Sequence, residues 1–132
     1  MPKAVGAVTT ELGIATAATN HNTRHPLVTA TFATTMHRMT GGRFCLGLGR
    51  GFDALFQVMG LAPVTMAQME DAIGMYRSLW HGQPVMGHNG PAGTYPFLSQ
   101  DPTFDEDIPV LLVALGERTL EFAGRVADAV VL

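Results

Sequence analysis

Gly42-Arg43-Phe44-Cys45-Leu46-Gly47-Leu48-Gly49-Arg50-Gly51 decides how the rest of the chain is read. Phe44, Cys45, Leu46 and Leu48 form a short apolar run of the kind seen in strands buried on both faces. Gly47, Gly49 and Gly51 then remove side chains from its carboxyl end, where a backbone can approach a ligand closely. Parallel sheets bind their ligands at that end of their strands. By themselves the three glycines read first as close-packing and tight-turn residues. They do not make a dinucleotide fingerprint, because Phe52 stands where its last glycine would be, and no phosphate-loop lysine follows.

Working upstream, Val28, Phe32, Met36 and Met39 recur at helical spacing between Pro26, a favoured first helical residue, and the stop signal Gly41-Gly42. Thr19 to His25 is a polar loop, and Leu12 to Ala18 reads as a buried strand. Lys3 to Glu11 reads as the tail of a helix whose start is missing.

Downstream, Phe52 to Val64 reads as a long loop on the functional face. Thr65 and Gln68 have capping-box spacing, and Met69, Ile73, Tyr76 and Trp80 fall on one face of the helix that follows and stops at His81-Gly82. Gln83 to Asp107 is a second excursion with one short extended piece near Val85-Met86. Ile108 to Leu115 is another apolar strand. After Gly116 comes a helix with Leu120, Ala123 and Ala127 on one side and a Glu121/Arg125 pair on another, then a buried strand from Ala129. Strand and helix alternate without an antiparallel hairpin signal, so the expected fold class is α/β, with parallel (β/α) units and right-handed crossovers.

The 132 residues suffice for one domain, 1–132. Hydrophobic residues make up 47% and charged residues 14%, with a net charge of −3 and no basic cluster. That composition is globular and argues against disorder and against a nucleic-acid partner. Cys45 is the only cysteine, so no internal disulfide forms; an inert, buried thiol in a reducing, cytoplasmic setting is expected. No run approaches the roughly 20 apolar residues that cross a bilayer, and the amino terminus lacks a signal-peptide pattern. Of the five histidines, His21 and His25 are four apart, but they sit in a loop ending at Pro26 without an acidic partner at ligand spacing, so no metal is expected. The methionines fall at core spacing on helices and read as packing.

Arg24-His25-Pro26, Thr40-Gly41-Gly42-Arg43, the Leu46 to Gly51 turn, Trp80-His81-Gly82, Ile108-Pro109-Val110 and Ala123-Gly124-Arg125-Val126-Ala127-Asp128 come in the order and spacing of the luciferase-like monooxygenases. Within that superfamily the chain resembles the branch of oxidoreductases that use the deazaflavin coenzyme F-420. The resemblance implies a partial TIM barrel, about strands 3 to 6 of a (β/α)8 barrel, which accounts for both abrupt ends. Two arrangements follow from it: part of a longer barrel, or a half-barrel that completes itself as a homo-oligomer.

The resemblance also implies a site. A non-proline cis peptide behind the deazaflavin ring falls on Ala17-Ala18, with Thr19 and Asn20 offering polar contacts to the ring edge. Gly49 and Gly51 fall beside the cofactor. Ala114 and Gly116 fall near its phosphate side, followed by the free N–H groups of Glu117-Arg118-Thr119. A sugar-phosphate-oxidising relative carries an acid–base glutamate where this chain has Phe52, so the same reaction is not carried over. The catalytic histidine and tryptophan of several relatives lie on the second strand, upstream of Met1, and no catalytic residue is assigned. The expected activity is hydride transfer between F-420 and a small organic substrate. The alternatives are an FMN-dependent monooxygenase and a non-catalytic association module.

Overall fold

A computed structural model describes residues 2–132. In chain order it contains α1 (Pro2–Val8), β1 (Ile14–Ala15), a 3-10 turn (His21–Thr23), α2 (Pro26–Met39), β2 (Phe44–Leu48), α3 (Asp53–Val58), α4 (Met66–Trp80), β3 (Val85–Gly90), β4 (Gly93–Leu98), β5 (Val110–Val113), α5 (Glu117–Val126) and β6 (Ala129–Val131). The main sheet has four parallel strands in the order β1-β2-β5-β6. Four parallel strands are half the complement of an eight-stranded barrel.

Alternation along the strands sorts the two faces of the sheet. Phe44, Leu46 and Leu48 of β2 and Val110 and Leu112 of β5 are buried and join Met36, Tyr76, Leu79, Trp80 and Phe122 of the helices in one core. Each such fully buried side chain contributes roughly 1.5–3 kcal/mol relative to exposure. On the opposite face the register aligns Gly47 with Leu111 and Leu111 with Ala129. Among the described residues that face meets no layer, so Val113 is only half-buried and Ala129 and Val131 are exposed.

Local signals set the helix ends. The Thr65 hydroxyl accepts from Gln68 N at 3.1 Å and the Gln68 side chain accepts from Thr65 N at 2.9 Å, completing the expected capping box. His25 caps α2 by accepting from Leu27 N through Nδ1 at 3.2 Å, with Pro26 at the first helical position. Met69, Ile73, Tyr76 and Trp80 are all buried, as their spacing predicts, and Trp80 Nε1 donates to the Ala30 carbonyl at 3.2 Å, joining α4 to α2. Asp128 closes the last strand pair: its carboxylate accepts from Val110 N at 2.9 Å and from Arg77 Nη2 at 3.2 Å.

Several expectations change. An antiparallel hairpin is present, β3 with β4, where one short extended piece was expected. Its 14 residues hold three glycines and two prolines, which hid the alternation. The Asp71 carboxylate on α4 holds it in place, paired with His88 Nε2 and accepting from Ala92 N, both at 2.9 Å. Residues 52–64 are not all loop, because α3 forms within them around the buried Phe56. The strand expected over Leu12–Ala18 shrinks to Ile14–Ala15, and Leu12 is exposed, because the chain turns away from β2 at Thr16. The buried stripe of α2 is Ala30, Ala33, Met36 and His37, whereas Val28 and Met39 are about half exposed. Small alanines, not the largest apolar residues, let α2 approach its neighbours. Leu120 is 40% exposed, Phe122 and Ala123 are the buried residues of α5, and Arg125 lies over the Phe122 ring rather than bridging to Glu121. The strand from Ala129 lies at an edge and is not buried. Cys45 is half-buried, and burial, reinforced by Asp128, pushes its thiol up.

Candidate functional site

The site grows from the place where β1 leaves the sheet. At Thr16 the hydroxyl takes over the ladder, donating to the Gly47 carbonyl at 2.8 Å and accepting from Gly47 N at 2.9 Å. The Thr16 carbonyl lies where a Cβ at position 47 would stand, so only glycine fits there. Past the turn, backbone pairing resumes: Thr19 N donates to the Gly47 carbonyl and Gly49 N to the Thr19 carbonyl, both at 2.9 Å. Asn20 Nδ2 then donates to the Gly49 carbonyl at 2.7 Å. Ala17 and Ala18, joined by a cis peptide, form the step between.

This step floors a cleft of about 510 Å³ at the carboxyl ends of β1, β2 and β5. Volumes of this order suit organic ligands. Six of the eight residues singled out in the sequence line it together: Ala17, Ala18, Asn20, Gly49, Gly51 and Gly116. The other two do not reach it. Thr19 is engaged in the backbone pairing with β2, and Ala114 is 1% exposed in the core, its N–H donating to the Val131 carbonyl at 2.9 Å. The glycines have distinct tasks. A Cβ at Gly49 would stand 3.1 Å from the Ala18 methyl and narrow the floor; Gly51 has φ 77° and a Cβ there would meet the Phe56 ring at 2.6 Å.

Sequence reasoning missed Leu55, Phe56, Val113 and Leu115, which also line the cleft, and did not weigh Arg50; Thr119, named for its backbone N–H at the start of α5, lines it too. Leu55 and Phe56 lay inside a segment read as loop, and only the helix α3 aims them at the cleft. The alternation of β5 carried the signal for Val113, since it lies on the opposite face from the buried Val110 and Leu112. Phe52, conspicuous in the sequence for lacking an acid, stands at the rim and is 71% exposed.

Electrostatically the cleft is quiet. Among the described residues Arg50 is the only charged one lining it; its Nη2 donates to both oxygens of Asp53, at 3.0 and 3.2 Å, and its Nε to the Val64 carbonyl at 2.8 Å. The two histidines weighed as metal ligands have separate surroundings. His25 caps α2 and stacks edge-on with Tyr95, while burial holds His21 below the ordinary histidine value, with Gln68 and Asp71 pulling the other way. At the far side of the cleft, Gly116 is the N-cap of α5 and makes no side-chain cap.

A family model for luciferase-like monooxygenases matches residues 3–132. The chain belongs to the luciferase-like monooxygenase family. Among curated relatives of this luciferase-like chain, the 5,10-methylenetetrahydromethanopterin reductase of Methanopyrus kandleri is 30% identical over 95% of the chain and 40% of its own length. The F-420-dependent glucose-6-phosphate dehydrogenase of Microbacterium testaceum is 32% identical over 95% of the chain and 38% of its length. The solved coenzyme F-420 dependent tetrahydromethanopterin reductase of Methanopyrus kandleri superposes with a TM-score of 0.79 at 24% identity, covering 98% of this chain and 42% of that one. A type II Baeyer–Villiger monooxygenase of Pseudomonas putida, solved with FMN, superposes at 0.72 with 16% identity, over 96% and 41%. The chain thus spans about two fifths of the length of these relatives, and the fold is α/β, a partial (β/α)8 barrel of four parallel strands.

Proposed function

We propose that these residues form one wall of a coenzyme F-420 site in an oxidoreductase that moves hydride between the deazaflavin and a small organic substrate. The observation that carries this reading is the side-chain-poor floor of the cleft. Ala17, Ala18 and Gly49 leave a surface almost without side chains at the carboxyl ends of parallel strands, in a cleft of about 510 Å³ that suits an organic ring system. The relatives named for F-420 support the choice of coenzyme.

When bound, the deazaflavin supplies the hydride chemistry; the protein supplies orientation, polar anchoring and exclusion of water. Ala17 and Ala18 support one face of the ring. Asn20, held by the Gly49 carbonyl, presents a fixed amide at its edge. Gly116 and the first turn of α5 offer backbone N–H groups toward the phosphate-bearing side. The same reading places the protein in a reducing cytoplasm, with Cys45 unoxidised.

Titration of F-420 with the chain, followed by deazaflavin fluorescence, tests the reading directly. A saturable change that Gly49→Val weakens at least tenfold is expected. No change at saturating protein sinks the proposal for this chain, and saturable binding of FMN with indifference to F-420 turns it to the flavin-dependent monooxygenases.

A second reading concerns assembly. The sheet has free edges at β1 and β6, and Val130 and Val131 are 41% and 40% exposed. Unpaired parallel edges of this kind take a further strand, from the remainder of a barrel or from a second copy.

A further inference from the structure

We propose that the α3 side of the cleft selects an uncharged, largely hydrocarbon substrate with a carbonyl or hydroxyl group, and that Phe52 and Leu55 set this preference. The inference rests on the F-420 reading for where the reacting end of the substrate lies, but its recognition argument comes from α3 itself. This short helix buries only Phe56; Leu55 is 53%, Val58 87% and the following Met59 53% exposed, and Phe52 just before it is 71% exposed. Such a row of apolar side chains on a surface marks a binding region more often than chance exposure does. Phe52 and Leu55 edge the same cleft that Ala17, Ala18 and Gly49 floor, and Leu115, 80% exposed, faces it from the end of β5.

The row is held in place and is not a loose loop. The Leu61 N–H donates to the Phe56 carbonyl at 2.8 Å, Asn22 Nδ2 to the Ala62 carbonyl at 3.2 Å, and Arg50 Nε to the Val64 carbonyl at 2.8 Å. Charge decides the class of ligand. Among the described residues Arg50 is the only charged one that lines the cleft, and its Nε and Nη2 are paired with the Val64 carbonyl and the Asp53 carboxylate. Asn20 Nδ2 is engaged by Gly49. A phosphate or carboxylate entering beside Phe52 would lose water and meet a cation whose charge Asp53 already balances, whereas a hydrocarbon chain would cover Phe52, Leu55 and Leu115. Phe52 fits this pattern: it places an apolar ring where a charged substrate would need a polar partner.

The test is amide chemical-shift mapping of the isotope-labelled chain, titrated separately with nonan-2-one, nonanoate and glucose 6-phosphate, each with and without F-420. Expected are saturable shifts at Phe52, Leu55 and Leu115 with nonan-2-one, at least tenfold weaker binding of nonanoate, and no shifts there with glucose 6-phosphate. Leu55→Ser should weaken the ketone at least threefold. Nonanoate or glucose 6-phosphate binding as well as the ketone overturns the inference, as do ketone shifts confined to other places. Shifts at Phe52 and Leu55 that depend on protein concentration alone also overturn it, by making the row a contact between copies. If F-420 binds and the ketone does not, this inference falls by itself. If the ketone shifts these amides and F-420 does not bind, only the coenzyme reading falls.

Discussion

Gly47 shows how much one residue can carry. The Thr16 carbonyl occupies the space a methyl would need, and the Thr16 hydroxyl bonds both backbone groups of Gly47. Gly47→Ala must therefore move backbone rather than a flexible side chain, and should cost about 3 kcal/mol or more, read from urea unfolding. An unchanged midpoint would show that β1 departs from β2 differently. His81 gives a pH signature. Its ring nitrogens pair with Asp105 at 2.6 Å and Asp107 at 2.9 Å, and these carboxylates, Asp105 foremost, raise it above the ordinary histidine value. A raised folded-state value means the pair stabilises fully below the unfolded value of about 6.5 and that this contribution fades as pH rises through the folded one. Because all three side chains are substantially exposed, the effect stays within the ~1 kcal/mol of a surface ion pair. His81→Gln should thus lower the melting temperature near pH 5.5 and match the parent near pH 9. The opposite trend would remove the pair from the folded state.

At the scale of elements, the hairpin and α3 are the parts that sequence patterning missed, and both are held by contacts distant in sequence. The β3–β4 turn hangs on Asp71, whose carboxylate serves His88 and Ala92, while Tyr95 packs against His25 and His88. Asp71→Ala leaves the Ala92 N–H and the imidazole without their partner and should cost about 1–3 kcal/mol. Amide exchange locates the loss. Faster exchange at Ala92 and along Val85–Leu98, with α4 unaffected, is expected; uniform loss of protection over the whole chain would show that the hairpin does not open independently. In contrast, α4 was legible to the residue, because Thr65, Gln68 and the Met69 to Trp80 stripe are all local signals.

For the whole molecule the decisive feature is a parallel sheet that the described residues cover on one face only. Leu111, Val113, Ala129 and Val131 share the open face, and β1 and β6 have free edges. The chain by itself should associate: sedimentation at about 100 µM should give a species larger than a monomer, and Val131→Lys, a charge on the edge strand, should shift it back. A parent chain that sediments as a monomer and still binds F-420 would rule out completion of the site by a second copy.

Sequence by itself determined the alternation of strand and helix, the capped α4, the small-residue ends of β1 and β2, and the family. These follow from local periodicity, caps and motif spacing, which a chain displays without knowing its partners in space. Tertiary structure alone decided which residues the cleft brings together. It set Thr19 into backbone pairing and Ala114 into the core, turned Leu55 and Val113 toward the cleft, and put Arg50 and Asp53 together so that the charge of Arg50 is balanced beside the cleft. It also separated the glycines that opened the reading: Gly47 is required by the Thr16 carbonyl, while Gly49 and Gly51 shape the cleft. The reason is physical: periodicity fixes the face a residue takes within its own element, but what that face meets depends on atoms that the sequence places far away.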